Sequence, residues 1–160
     1  MLGSMPQKQT SKAIAIASDH RGVMLKERLK GWLHTNGYTV KDCGTDSGAE
    51  RVDALDYALK LVDEIKENRS DFAIGICGSG QMMAITANRF PFIRATLLHA
   101  VAESAPAREH GDANMLVLGA DTIDDDVAEH ILKIFLETTA LGDRYAARRE
   151  RLAKLDVSGL

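Results

Sequence analysis

The stretch that most constrains the fold is DFAIGICGSGQMMAITANR, residues 71–89. It opens on a two-residue repeat, with Phe72, Ile74 and Ile76 on one side and Ala73, Gly75 and Cys77 on the other. Both sides are apolar or small, which predicts a strand buried on both faces, the usual state in a parallel sheet. Gly78, Ser79 and Gly80 break the pattern, and Met83, Ile85 and Ala87 resume it near helical spacing. A strand, a glycine turn and a helix start gather free backbone N–H groups at one point, which attracts anions and above all phosphate. Cys77 ends the strand beside that point. The positive end of a helix favours a thiolate there, while burial opposes it. The plainer alternative is a turn that needs glycine for backbone reasons and a cysteine that belongs to the core.

The same alternation runs along the rest of the chain. Residues 12–18 predict a first strand, followed by Asp19-His20 and a helix whose inner face is Leu25, Leu29, Trp32 and Leu33. Lys26, Glu27, Arg28 and Lys30 are expected to point away, and Gly37 to cap the helix end. A short strand over 38–43, a polar loop over 44–53 and a helix through Tyr57, Leu61 and Ile65 precede the central strand. Residues 93–98 predict a fourth strand, and 100–109 a helix interrupted or restarted at Pro106. Residues 114–118 predict the fifth strand, then a helix over 127–138 with Asp124, Asp125 and Asp126 as its N-terminal cap and dipole partner. That acidic run reads as a helix start in preference to a metal site. A last helix begins at Gly142 and carries Arg144, Arg148, Arg149 and Arg151. The expectation is a single-domain α/β fold: a Rossmann-like, doubly wound, five-stranded parallel sheet with an arginine-bearing C-terminal helix. The polar opening MLGSMPQKQT reads as a flexible lead over 1–11, with the domain over 12–160.

Composition narrows the functional class. A net charge of -3 with no Lys/Arg block argues against nucleic acid as a partner. Cys43 and Cys77 are too few for a disulfide framework, and neither they nor the five histidines match a metal-binding spacing. No apolar run is long enough for a membrane and no signal-peptide core is visible, so the expected location is cytoplasmic.

In a parallel sheet, ligands bind beyond the carboxyl ends of the strands. Those ends offer Asp19 and His20, then Cys77 with Gly78, Ser79 and Gly80, then the stretch from Gly119 to Asp121. His110 precedes the fifth strand and so belongs to the opposite edge, to be brought in by a second subunit or a folded-back loop. Arg144 and Arg148, four apart on one helix face, suit a phosphate clamp. His34, His99 and His130 read as surface residues. A nicotinamide fingerprint, a P-loop lysine and a metal cluster are all missing, which favours cofactor-free proton chemistry on a small phosphorylated molecule.

SDHRG after the first strand, ICGSG followed by ITANR, IRA in the fourth strand, REH with Asp112 and Asn114 behind it, and the paired arginines together resemble the ribose-5-phosphate isomerase B (LacAB/RpiB) family. The resemblance runs from Lys12 to about Leu152. It implies a Rossmann-like homodimer or tetramer with active sites between subunits, and metal- and cofactor-free interconversion of an aldose phosphate and a ketose phosphate. By the same resemblance, Cys77 is the base that moves a proton between C1 and C2, and His110 assists opening of the furanose ring. Asp19 and Ser79 are implied as partners of ring oxygens, His20, Arg144 and Arg148 as phosphate ligands, and Gly78 and Gly80 as the turn that stabilises the enediolate.

The chain departs from that pattern where the ligand would lie. Met82 stands where a glycine is usual, Gly111 where an asparagine is, Asp121 where an arginine is, and Ala54-Leu55 where an aromatic-proline pair is. Three functions remain open: an isomerase of ribose 5-phosphate, the same mechanism on another four- to six-carbon sugar phosphate, or a binder without turnover. The charge reversal at Asp121 predicts weak activity on ribose 5-phosphate, unless that carboxylate turns away to an arginine.

Overall fold

All six residues of the central strand are buried, and the rest of the molecule is layered on its two sides. The computed structural model describes residues 12–155, so the lead expected over 1–11 lies outside the described residues. In chain order the elements are β1 (Ala13–Ser18), α1 (Val23–Thr35), β2 (Thr39–Asp42), α2 (Ala54–Lys66), β3 (Phe72–Cys77) and α3 (Gln81–Ala87). Then come β4 (Ala95–Leu97), a 3-10 turn (Val101–Glu103), α4 (Ser104–Gly111), β5 (Met115–Gly119), α5 (Asp125–Glu137) and α6 (Asp143–Ala153). The five strands form one sheet in the order β2-β1-β3-β5-β4, and every neighbouring pair is parallel.

The side-chain repeat of β3 decides the two layers. Phe72, Ile74 and Ile76 face a core shared with Ile14, Ile16, Leu116 and Leu118 and with α1 and α5. Ala73 and Cys77 face the other, built with Ala15, Ala17, Met115 and Val117 and with α2 and α3. Crossovers toward β2 use one face and crossovers toward β4 the other, so all share one hand, as twisted parallel sheets require. The expected doubly wound sheet is what forms. Among the described residues no helix is long and apolar enough to cross a membrane.

Three local expectations change. β4 is three residues long, because the Asn114 side chain takes the Arg94 N–H and the Phe92 carbonyl, and the Asn88 side chain takes the Ala95 N–H and carbonyl. Those amides do the work a longer ladder would do. Lys26, expected to point outward, is fully buried. Its ammonium meets Asp42 at 2.6 Å and Asp46 at 3.3 Å, so the stem packs inward and the charge is answered from the β2 end. The acidic run does start α5, but the Asp124 side chain makes no cap; Asp126 and Glu129 instead pair with Arg28 of α1. Pro106 lies in the first turn of α4, after the 3-10 turn, so a fresh helix start is the outcome there.

Candidate active site

The sheet order sets the site. β1 and β5 flank β3, so the residues after these three strands meet at one edge. Cys77, the last residue of β3, is paired in register with Gly119 and is 4% exposed. The turn after it is tied to β5 by the Ala120 N–H on the Cys77 carbonyl (2.8 Å) and the Asp121 N–H on the Gly78 carbonyl (2.9 Å). Gly80 has φ +77, a conformation that strains any side chain, and it starts α3.

Its N–H donates to the Cys77 sulfur at 3.1 Å. Backbone groups of Met83 and Ser79 also favour the thiolate. The amides expected to stand open for a ligand anion therefore converge on the thiol itself. Burial is the largest effect and pushes the Cys77 thiol up; the three amides offset it in part, while the nearby Asp19 charge adds to the rise. The result is a sheltered thiol with hydrogen-bond donors already in place for its ionised form.

Asp19 is almost as buried as Cys77, and it accepts the Arg21 N–H at 3.0 Å. His20 accepts the Val52 N–H on Nδ1 at 3.3 Å, which leaves Nε2 to carry the proton of the neutral ring. His20 lines a cleft of about 720 Å³ with Asp19, Arg21, Arg51, Val52, Asp53 and Ala54. Ser79 is exposed, its hydroxyl accepting the Gln81 N–H.

Asp121 pairs with Arg21 across the turn. A Cβ on Gly78 would lie 2.8 Å from both Arg21 Nε and Asp121 Oδ2, so this ion pair sits directly over the glycine. The charge reversal is answered within the chain, and the repulsion expected from a bare carboxylate is gone. Met82, which stands where the resemblance has a glycine, is 46% exposed. Gly111 has open space where a side chain would start.

A second group forms at the other edge. His110 lies in the last turn of α4, just before β5 begins, and its ring stacks on Tyr145 with centroids 4.3 Å apart. Arg144 and Arg148, both exposed, lie over the same tyrosine ring. β5 spans four rises of roughly 3.3 Å, so about 13 Å of strand separates this edge from Cys77. Acid–base partners act within about 3 Å of the same substrate atoms. One chain therefore brings Cys77, Asp19, His20, Gly78, Ser79 and Gly80 together, and holds His110, Arg144 and Arg148 apart from them.

The sequence reading did not find Tyr145 or Lys26, and it allowed Asp121 an arginine partner without naming Arg21. The pair was within reach: opposite charges directly after β1 and β5 must meet once both strands flank β3. Among the described residues, Glu27, Asp42 and Asp46 are the one set of carboxylates close enough to share a cation, and Lys26 and Lys30 already pair with Asp42.

Comparison with known proteins places this geometry. Residues 14–152 match the family model described as Ribose/Galactose Isomerase (LacAB_rpiB). A Rickettsia conorii protein assigned to the sugar phosphate isomerases, with no sugar specified, is 40% identical over 139 residues, 87% of this chain and 96% of that protein. The crystal structure of a Thermotoga maritima ribose 5-phosphate isomerase RpiB superposes with a TM-score of 0.86 at 42% identity, covering 90% of this chain and 99% of that one. The Mycoplasma genitalium ribose-5-phosphate isomerase B, solved with ribulose-5-phosphate bound, gives 0.85 at 31% identity over 89% of this chain and 94% of that one.

Proposed function

Because this chain is a sugar-phosphate isomerase of the Ribose/Galactose Isomerase (LacAB/RpiB) family, we propose that it interconverts ribose 5-phosphate and ribulose 5-phosphate by ring opening and enediol proton transfer. The observation that carries this reading is the Cys77 thiol, sheltered at the end of β3 with the Gly80 N–H on its sulfur. In this scheme the Cys77 thiolate takes the proton from C2 of the open aldose and the resulting thiol returns it to C1, while the oxygen charge moves between C1 and C2. His110 moves the proton that opens the furanose, Asp19 and Ser79 hold ring oxygens, and the Gly78–Gly80 turn faces the enediolate oxygen. His20, Arg144 and Arg148 hold the phosphate, and no metal or organic cofactor takes part.

This assignment needs two copies. With Cys77 and His110 at opposite edges of one sheet, a site holding both is formed between subunits, in a homodimer or a tetramer built from it. Two surfaces suit that contact. Met82 and Ile85 leave α3 with an exposed apolar face directly after the Cys77 turn. Near His110, a hollow of about 850 Å³ opens among Phe90, Ile93, Gly111, Asp112, Arg149 and Leu152. An isologous two-fold pairing would set each such face on its partner's hollow and make two identical sites.

A second reading, the same chemistry on another four- to six-carbon sugar phosphate, is favoured by the open space at Gly111. A panel of aldose and ketose phosphates of four to six carbons, assayed with EDTA present, decides between them. Best turnover of ribose 5-phosphate supports the first reading, and a better substrate elsewhere in the panel supports the second. Binding without turnover across the panel would leave only a binder.

Two further results are expected. The kcat/KM for the preferred substrate should climb with pH through and beyond the ordinary thiol range, because burial holds the Cys77 thiol up and the base is its ionised form. A plateau below that range would contradict the assignment of the base. Arg144→Ala or Arg148→Ala should raise KM about 10- to 100-fold, since a charge-assisted bond is worth roughly 1.5–3 kcal/mol. Lysine at either position should rescue only in part, lacking the planar fork. An unchanged KM in both alanine variants would put the phosphate elsewhere.

A further inference from the structure

His110 is held unusually for an acid–base histidine. Most are oriented through one ring nitrogen by a carboxylate or a carbonyl. Neither nitrogen of His110 has a hydrogen-bond partner among the described residues. Its ring lies flat on Tyr145, with centroids 4.3 Å apart and an interplanar angle of 0°. A face-to-face stack occupies the π faces and leaves both nitrogens free at the ring edge. The backbone is fixed separately: Arg149 donates to the His110 carbonyl at 3.2 Å and to the Leu141 carbonyl at 2.7 Å, and the Leu141 N–H donates to Glu109. Backbone and ring are thus both held, and no nitrogen is spent.

The same phenol holds a cation. Arg144 Nη2 donates to the Tyr145 hydroxyl at 2.8 Å, and its guanidinium lies 4.8 Å from the ring centre; that of Arg148 lies at 5.8 Å. The imidazole, the phenol and two guanidinium groups form one block on α4 and α6.

We propose that Tyr145 is the positioning residue of this half-site, its ring aiming the His110 imidazole at the furanose oxygen and its hydroxyl aiming Arg144 at the phosphate. This rests on the isomerase reading above and deepens it. The two functions of Tyr145 reside in different atoms, so different substitutions separate them. Tyr145→Phe keeps the stack and loses the acceptor for Arg144. Tyr145→Leu loses both.

The chemistry offers an internal control. Ribulose 5-phosphate has its carbonyl at C2 and its O5 esterified, so it stays open-chain and needs no ring opening. In heavy water, the base removes one hydrogen from C1 to give the enediol, exchanges it with solvent, and returns deuterium to C1. Deuterium entry at C1, followed by NMR at saturating ribulose 5-phosphate, reports the Cys77 half of the site alone.

Tyr145→Phe should raise KM for ribose 5-phosphate about 3- to 10-fold with kcat near wild type, the hydrogen bond that aims Arg144 being lost while the bond from Arg144 to the phosphate remains. Tyr145→Leu should lower kcat on ribose 5-phosphate roughly 10- to 100-fold, the cost of a misaimed catalytic group, while exchange at C1 of ribulose 5-phosphate stays within about twofold of wild type by the same argument. If Tyr145→Phe loses kcat as fully as Tyr145→Leu, or if exchange falls in step with isomerisation, Tyr145 is a packing residue and the proposal is overturned. A wild-type protein that neither isomerises nor exchanges would instead sink the isomerase reading, and this proposal with it.

Discussion

Cys77→Ser should lower turnover of the preferred sugar phosphate by roughly 10²–10⁴-fold, the usual worth of a positioned general base. Serine is close to cysteine in volume and still accepts a hydrogen bond from the Gly80 N–H, so the turn keeps its shape. What changes is ionisation. A thiol, even one pushed up by burial, yields some anion under the amides of Gly80, Met83 and Ser79, whereas an alkyl hydroxyl does not. KM should move little, because the groups assigned to the phosphate are His20, Arg144 and Arg148. Steady-state kinetics on the purified variant, with circular dichroism to verify the fold, checks this. Near-native turnover would remove Cys77 from the role of base.

Lys26→Met is expected to be the most damaging change to stability. The ammonium is fully buried, and it pairs with Asp42 at 2.6 Å, Asp46 at 3.3 Å and Glu27 at 3.5 Å. Removing one side of a buried pair costs about 3–5 kcal/mol, and Lys30, still 2.7 Å from Asp42, keeps the loss near the lower end of that range. For a chain of this size, about 3 kcal/mol lowers Tm by roughly 6–12 °C. The pH dependence should change too. Burial opposes ionisation of Asp42, but hydrogen bonds from Lys26, Lys30 and the Gly44 N–H outweigh it and hold the carboxyl below its usual range. Its stabilisation is therefore complete above the ordinary carboxyl pKa and is lost as pH falls through the lowered value. Urea unfolding at neutral and acid pH should show a steeper acid loss in the wild type than in the variant. An unchanged midpoint at neutral pH would contradict this. Because the loop beyond Asp42 supplies the Val52 N–H to His20, KM should rise alongside.

Much of the fold was legible because burial on both sides of a strand leaves a plain trace. The alternation in residues 72–77 marked a parallel strand, and the glycine break after it marked the turn into α3. Chain order before β5 was enough to set His110 at the opposite edge, and the structure keeps it there. What was not legible depends on side chains choosing partners distant in sequence. Lys26 follows Leu25 on a helix and reads as solvated; the carboxylates that gather on it, Asp42 at the end of β2 first among them, make its burial tolerable. Asp121 alone reads as a charge hostile to phosphate, and its meaning changes once Arg21 pairs with it over Gly78. The free amides of a glycine turn read as an anion cradle, yet here the sulfur of Cys77 receives them. β4 is shorter than its pattern predicts because the Asn88 and Asn114 side chains stand in for ladder bonds.

The central claim is that one active site is assembled from Cys77 of one copy and His110 of another. Two variants, Cys77→Ser and His110→Ala, should each be nearly inactive as pure proteins. Co-expressed from one cell and purified together, they form mixed dimers in which one site carries both defects and the other carries neither. With random pairing in a two-fold dimer, about a quarter of wild-type activity should return. Verified mixed dimers that stay as inactive as their parents would contradict the shared site and the account built on it.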